Sequence, residues 1–223
     1  MNINIVVAIS YVVSIVATAT LAVYFFREYA QKKLRASLAW GLGLLVYVFA
    51  MITDFSVDIS GEMAVGKPAL LIGLMVTFAG MTLFYYGTSL LFFNRGSFFR
   101  EKISALLFIF YIAVSVYLVV TLPTEGFKEA VRFPLETFLI SPVYFAISIL
   151  FYRVSARVDS DDPRRQTILF VAAGWFLLLI GGLYRGLFFG SSAAFDSLSH
   201  IVRATAWLLI LYGMTFGKAA RTT

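Results

Sequence analysis

Arg185 sits among Leu183, Tyr184, Leu187 and Phe188, and it is the first place in this 223-residue chain where chemistry could be expected. A charge inside an apolar helix is costly, so such a residue marks a functional site by default. Asp196, His200 and Arg203 follow at the mouth of the next apolar run, and His200 and Arg203, three apart, fall on one helical face. Asp54 and Asp58, four apart, share a face in an earlier run. A carboxylate–guanidinium pair is the least costly way to hold such groups at depth. Asp54 or Asp58 is therefore expected to pair with Arg185 or Arg203. Asp54, Asp58, Arg185, His200 and Arg203 form a candidate pocket for a small ligand or lipid. The competing reading is structural, because each head group is near enough to an interface to reach water.

The catalytic alternatives are thin. There is no cysteine, which removes disulfides, thiol catalysis and Cys-ligated metals. A single histidine excludes a haem held by two imidazoles and a His-rich zinc site. No G-x-S-x-G, HExxH or phosphate-binding Gly loop occurs. Two carboxylates with one His could hold a metal or do acid–base work, but their spacing is generic. The expectation is a non-enzymatic protein without metal or cofactor.

The elements that must position these residues are apolar throughout. The chain is 61% hydrophobic and 13% charged, with a mean hydropathy of +0.89. Soluble domains run nearer half apolar and a quarter charged. A lipid bilayer is thus expected as the main partner, with the chain multi-pass in the cell membrane. Seven runs of spanning length fall at 4–26, 38–59, 69–93, 103–122, 134–154, 167–189 and 198–217. Backbone groups in lipid need internal partners, which makes the runs helices. The expected fold is all-α: one seven-transmembrane-helix bundle over 1–223, with no linker. The first run lacks a preceding Lys or Arg and exceeds a signal h-region, so it is read as a retained helix.

Charge sets the orientation. Thirteen of the eighteen basic residues lie on alternate connections: Arg27 to Arg35, Arg95 to Lys102, Arg153 to Arg165, and the tail Lys218 and Arg221. The positive-inside rule then places the N-terminus outside and the C-terminus in the cytoplasm. It also accounts for the net charge of +6 without nucleic acid, which is not expected as a partner.

Small residues are arranged for close packing. Gly73, Gly80 and Gly87 recur every seven residues, and Gly182 and Gly186 make a small-xxx-small pair. Intramolecular packing is the first reading; a backbone-lined groove or a homo-oligomer seam is the other. Pro142 is expected to kink the fifth helix by removing an i→i−4 bond. Tyr85, Tyr86, Thr82 and Thr88 lie deep in the third run. Their hydroxyls are expected to bond a carbonyl or a neighbouring helix, with ligand contact as the alternative. Trp40, Trp175 and Trp207 read as packing residues. Asp161-Asp162-Pro163-Arg164-Arg165 reads as a solvated turn opening the sixth helix, able to touch a cytoplasmic partner or anionic headgroups.

Two resemblances follow from these residues. The run Asp196-Ser197-Leu198-Ser199-His200 is similar to the Asp-xxx-Lys of microbial rhodopsins, and the topology matches theirs. A retinal Schiff base requires a lysine, and the position holds His200. The basic first loop with Leu38-Ala39-Trp40-Gly41, the acidic stretch Asp54–Glu62 and the closing Leu208–Gly217 run resemble the seven-helix sensor regions of prokaryotic signalling proteins, such as those preceding histidine kinases. That resemblance implies a receptor or sensor signalling to a separate membrane or cytoplasmic protein. A small transporter or channel is the alternative from another class, and an accessory subunit of a larger membrane complex is a third.

Overall fold

A computed structural model describes residues 4–188 and 193–216. All regular structure among them is helical: α1 (Ile5–Lys32), α2 (Arg35–Ser60), α3 (Glu62–Phe92), α4 (Phe98–Thr121), α5 (Phe127–Pro134), a π-helical segment (Leu135–Ile140), α6 (Ser141–Ser155), α7 (Pro163–Phe188) and α8 (Ala193–Phe216). Counting α5 through α6 as one span, seven helices among the described residues are long and apolar enough to cross a membrane. Phe189 and Gly217, expected to close the last two runs, and the basic tail residues Lys218 and Arg221 lie outside the described residues.

The chain gathers into two compact units. Unit 1 holds Ala22 through Val131. Within it α2 packs on α3 and α3 on α4. Its core is aromatic: Trp40 stacks on Phe25 and meets Phe84, and Phe78 stacks on Tyr111. The three glycines of α3 face α2 and let this core close. A Cβ at Gly87 would lie 2.5 Å from the Trp40 ring, one at Gly73 would lie 3.0 Å from Thr53, and one at Gly80 would make ordinary contact with Tyr47 and the Gly43 carbonyl. Two glycines also punctuate the α2–α3 reversal. Gly61 (φ 84°) ends α2, and Gly66 (φ 71°) breaks the first turn of α3 so that the long helix restarts at Pro68. The sequence boundary at residue 69 marks this restart rather than the true beginning at Glu62.

Unit 2 holds Asn4 through Leu21 and Arg132 onward, with α6 packed on α7 and α7 on α8. Trp175 and Trp207 meet edge to face at its centre, with Tyr144 beside them. Gly174 and Gly213 admit α8 and α7 respectively to backbone contact: a Cβ at Gly174 would strike Ile210, and one at Gly213 the Thr167 carbonyl. All three tryptophans are buried, as packing residues should be.

The fifth span departs from its expected form. It begins at Phe127, not 134, because the supposed loop after Gly126 is helical. At Pro142, where a kink is expected, a π-helical turn immediately precedes the proline. There the Ser141 N–H donates to the Glu136 carbonyl, five residues back, and Pro142 sits in the first turn of α6. The proline ring would collide with the carbonyl four residues earlier, and a widened turn relieves that clash.

Candidate functional site

The five candidate residues fall into two polar sets, one in each unit. In unit 1, Asp54 and Asp58 project from neighbouring turns of α2 onto one ammonium. Lys128 Nζ lies 2.7 Å from Asp54 Oδ1 and 2.5 Å from Asp58 Oδ1, and it also donates to the Asp54 carbonyl. In the sequence Lys128 falls between the fourth and fifth apolar runs. It stands at the start of α5, whose first N–H groups, those of Phe127 and Lys128, donate to the two oxygens of Glu62 at 3.0 and 2.5 Å. One carboxylate thus caps α5, and two more neutralise its lysine. Phe127 and Val131 are buried beneath this clasp. Every charge here has a close partner, so the set reads as a structural joint between α2, α3 and α5.

Unit 2 is different. Arg185 lies 3.7 Å from Glu136, a residue of the π-helical segment, and their side chains are 10% and 14% exposed. The Gly182–Gly186 face of α7 makes room for this segment. A Cβ at Gly182 would meet Glu136 Oε2 and Ser141 Oγ, and one at Gly186 would lie 2.8 Å from Thr137 Oγ1. The pair therefore serves close approach of α7 to a wound-out turn bearing an acid.

On α8, His200 is 1% exposed. Its Nδ1 is 2.7 Å from Arg203 Nη2, and its Nε2 is 3.6 Å from Asp196 Oδ1. A guanidinium has no lone pair to offer, so Nδ1 must accept. The imidazole is consequently neutral with its proton on Nε2, aimed toward Asp196. Tyr11 of α1 supports both groups: its ring lies 4.7 Å from the imidazole and 4.4 Å from the Arg203 guanidinium carbon. Asn4 donates to Ser197 at the same end. The charges of Arg185 and Arg132 also act on the Asp196 carboxylate. Arg132 is buried. Three arginines thus gather with two carboxylates and a neutral imidazole. Buried Thr137 Oγ1, Ser141 Oγ and His200 Nε2 have no hydrogen-bond partner.

Such a set has an excess positive charge, unspent hydroxyls and one directed N–H. It suits an anionic group better than a cation. Among the described residues, no group of three or more His, Asp or Glu is placed to hold a metal ion.

Three of the polar candidates in α3 are satisfied internally. Thr82 and Thr88 donate to the carbonyls four residues back, and Tyr85 donates to the Phe99 carbonyl. Asp162 accepts from the Arg164 N–H at 2.8 Å and opens α7.

Sequence reasoning places Glu62 and Glu136 among the acids at the outer helix ends but puts neither of them, nor Lys128, Arg132 or Tyr11, in the candidate pocket. The Arg132–Glu136 spacing of four was the available signal, since it is the helical pair spacing. It was obscured by reading 123–133 as a loop. Nothing in the local pattern marks Tyr11, which lies far from His200 along the chain. No protein-family model, curated protein or solved structure matches this chain.

Proposed function

We propose that the chain is a non-enzymatic membrane receptor or sensor of seven helices, with its N-terminus outside the cell membrane and its C-terminus in the cytoplasm. It binds a small anionic ligand or lipid headgroup at its outer end and signals to a separate protein partner. Arg185, His200 and Arg203 are the binding residues, with Arg132 and Glu136 beside them. Asp54 and Asp58 belong to the supporting joint in unit 1.

The observation carrying this reading is the buried His200, held between Arg203 and Asp196 in a helix of otherwise membrane-spanning character. Intramembrane ionisable groups are retained where they work. The π-helical turn next to Arg185 supplies an element that can shift register, as π turns at functional sites do.

Native mass spectrometry of protein extracted gently from its own membrane tests the reading. A stoichiometric small anion or lipid on the wild type, lost from a folded Arg185→Ala variant, is the expected result. A wild type carrying only bulk lipid, or an adduct indifferent to Arg185→Ala, would sink it. One observation favours transport as a second reading: the fifth span is interrupted at Leu135–Ile140 and carries Glu136 there, as transporter helices are broken at their sites. Anion flux in proteoliposomes that vanishes in Arg185→Ala would put transport first.

A further inference from the structure

Unit 1 has a basic site of its own, at the end opposite its acidic joint along α2 and α3. A cleft of about 410 Å³ opens between the α1–α2 junction and the α3–α4 turn, lined by Lys33, Arg35, Arg95 and Arg100. No carboxylate lines it. The nearest acids in sequence are otherwise engaged: Glu28 pairs with Lys32, and Glu101 accepts the Gly96 N–H. Four basic residues thus line one cleft with no carboxylate in its wall, Arg100 also donating to the Phe93 carbonyl and Lys33 lying over the Tyr29 ring, and like charges gathered this way favour an anion between them. The backbone contributes to that convergence. Lys33 has φ of 55°, the one non-glycine residue with positive φ among those described. A lysine held there is strained, and such strain collects at functional sites.

The rest of the lining is apolar. Leu34, Leu90 and Leu91 flank the cations, and Leu34 and Leu91 have much of their surface exposed. A free phosphate would use the four cations and leave the leucines to water. A phospholipid uses both, its phosphate among the cations and its chains along the leucines. We propose that this cleft binds the phosphate of an anionic phospholipid headgroup. The inference is independent of the ligand reading for unit 2, since it involves none of the same residues.

The test is native mass spectrometry of the full chain in detergent, titrated with phosphatidylglycerol, phosphatidylcholine or inorganic phosphate. The wild type should retain phosphatidylglycerol in preference to phosphatidylcholine, and millimolar inorganic phosphate should leave that adduct in place. Lys33→Gln/Arg95→Gln removes two exposed charges and should lower the adduct by roughly tenfold, given the attraction each basic residue contributes near an anionic lipid surface. Arg153→Gln/Arg157→Gln, an exposed basic pair at another helix end, should change it little. Equal retention of the two lipids overturns the proposal, as does equal loss in both double variants, which would mean diffuse charge attraction. Displacement of the lipid by inorganic phosphate also overturns it in favour of a free-phosphate site. Loss of binding in Arg185→Ala with an intact lipid adduct here would separate failure of the receptor reading from failure of this one.

Discussion

Arg203 and His200 give a sharp expectation at the scale of single residues. The chain has one histidine, so uniform 15N-histidine labelling yields one imidazole to observe. With Arg203 donating to Nδ1, the Nδ1 resonance should lie in the acceptor range and Nε2 should carry a resolved proton. A protonated Nδ1 would mean that the Arg203 contact is not made. His200→Leu removes an acceptor from a half-buried guanidinium and should cost about 1–3 kcal/mol in thermal unfolding, whereas His200→Gln, which keeps an acceptor, should cost less. The glycines of α3 supply a graded comparison. Gly87→Ala drives a methyl into Trp40, itself stacked on Phe25, and should destabilise by about 1–3 kcal/mol. Gly80→Ala meets only ordinary contacts and should stay within about 0.5 kcal/mol of wild type. Equal losses at the two positions would show that helix flexibility, not space, is what these glycines provide.

At the scale of elements, α5 depends on a cap that it does not encode. Glu62 of α3 takes both leading N–H groups of α5, so Glu62→Ala should destabilise the helix by about 0.5–2 kcal/mol. The local reading is hydrogen exchange: the Phe127 and Lys128 amides should exchange faster while those of α7 do not change. Unchanged protection at Phe127 would assign the stability of α5 to its buried Phe127 and Val131 instead. This dependence explains why the sequence misled here. The seven runs were legible because hydropathy over about 20 residues is a strong signal. The α5 segment is short, charged at Lys128, Glu129 and Arg132, and bounded by Gly126, so its local pattern is that of a loop. Its helix comes from a distant carboxylate and a buried apolar edge. The expectation at Pro142 is a kink, and a single sequence does not show that a π turn precedes the proline. The candidate site was half legible for the same reason. Arg185, His200 and Arg203 stand out against apolar neighbours, whereas Glu136 and Tyr11 acquire meaning only from the helices that face them.

For the whole molecule, the open question is which side of the membrane each connection meets, and the sequence makes it testable. The chain has no cysteine, so single cysteines can be introduced on a silent background. Asn94 and Ser160 lie on connections rich in Lys and Arg, whereas Ser60, which closes α2, and Glu125 lie at the alternate connections, and all four are exposed. In intact cells a membrane-impermeant maleimide should label Ser60→Cys and Glu125→Cys. Asn94→Cys and Ser160→Cys should react only after permeabilisation, because translocating a densely basic connection is disfavoured. The reverse pattern would place His200 and Arg185 toward the cytoplasm, and the ligand would have to be an intracellular anion. A mixed pattern, with Glu125 and Asn94 labelled from the same side, would mean that α4 does not cross between them. That outcome conflicts with the mean hydropathy of 2.6 in α4, the highest of the seven spans. The least apolar window is that of α8, at 1.2, and it carries His200 and Arg203. Its hold on the bilayer is the weakest of the seven, so substitutions that restore apolar character there should strengthen insertion while removing the site. His200→Leu/Arg203→Leu should therefore insert at least as completely as wild type and lose its ligand, which separates the role of these charges in binding from any role in folding.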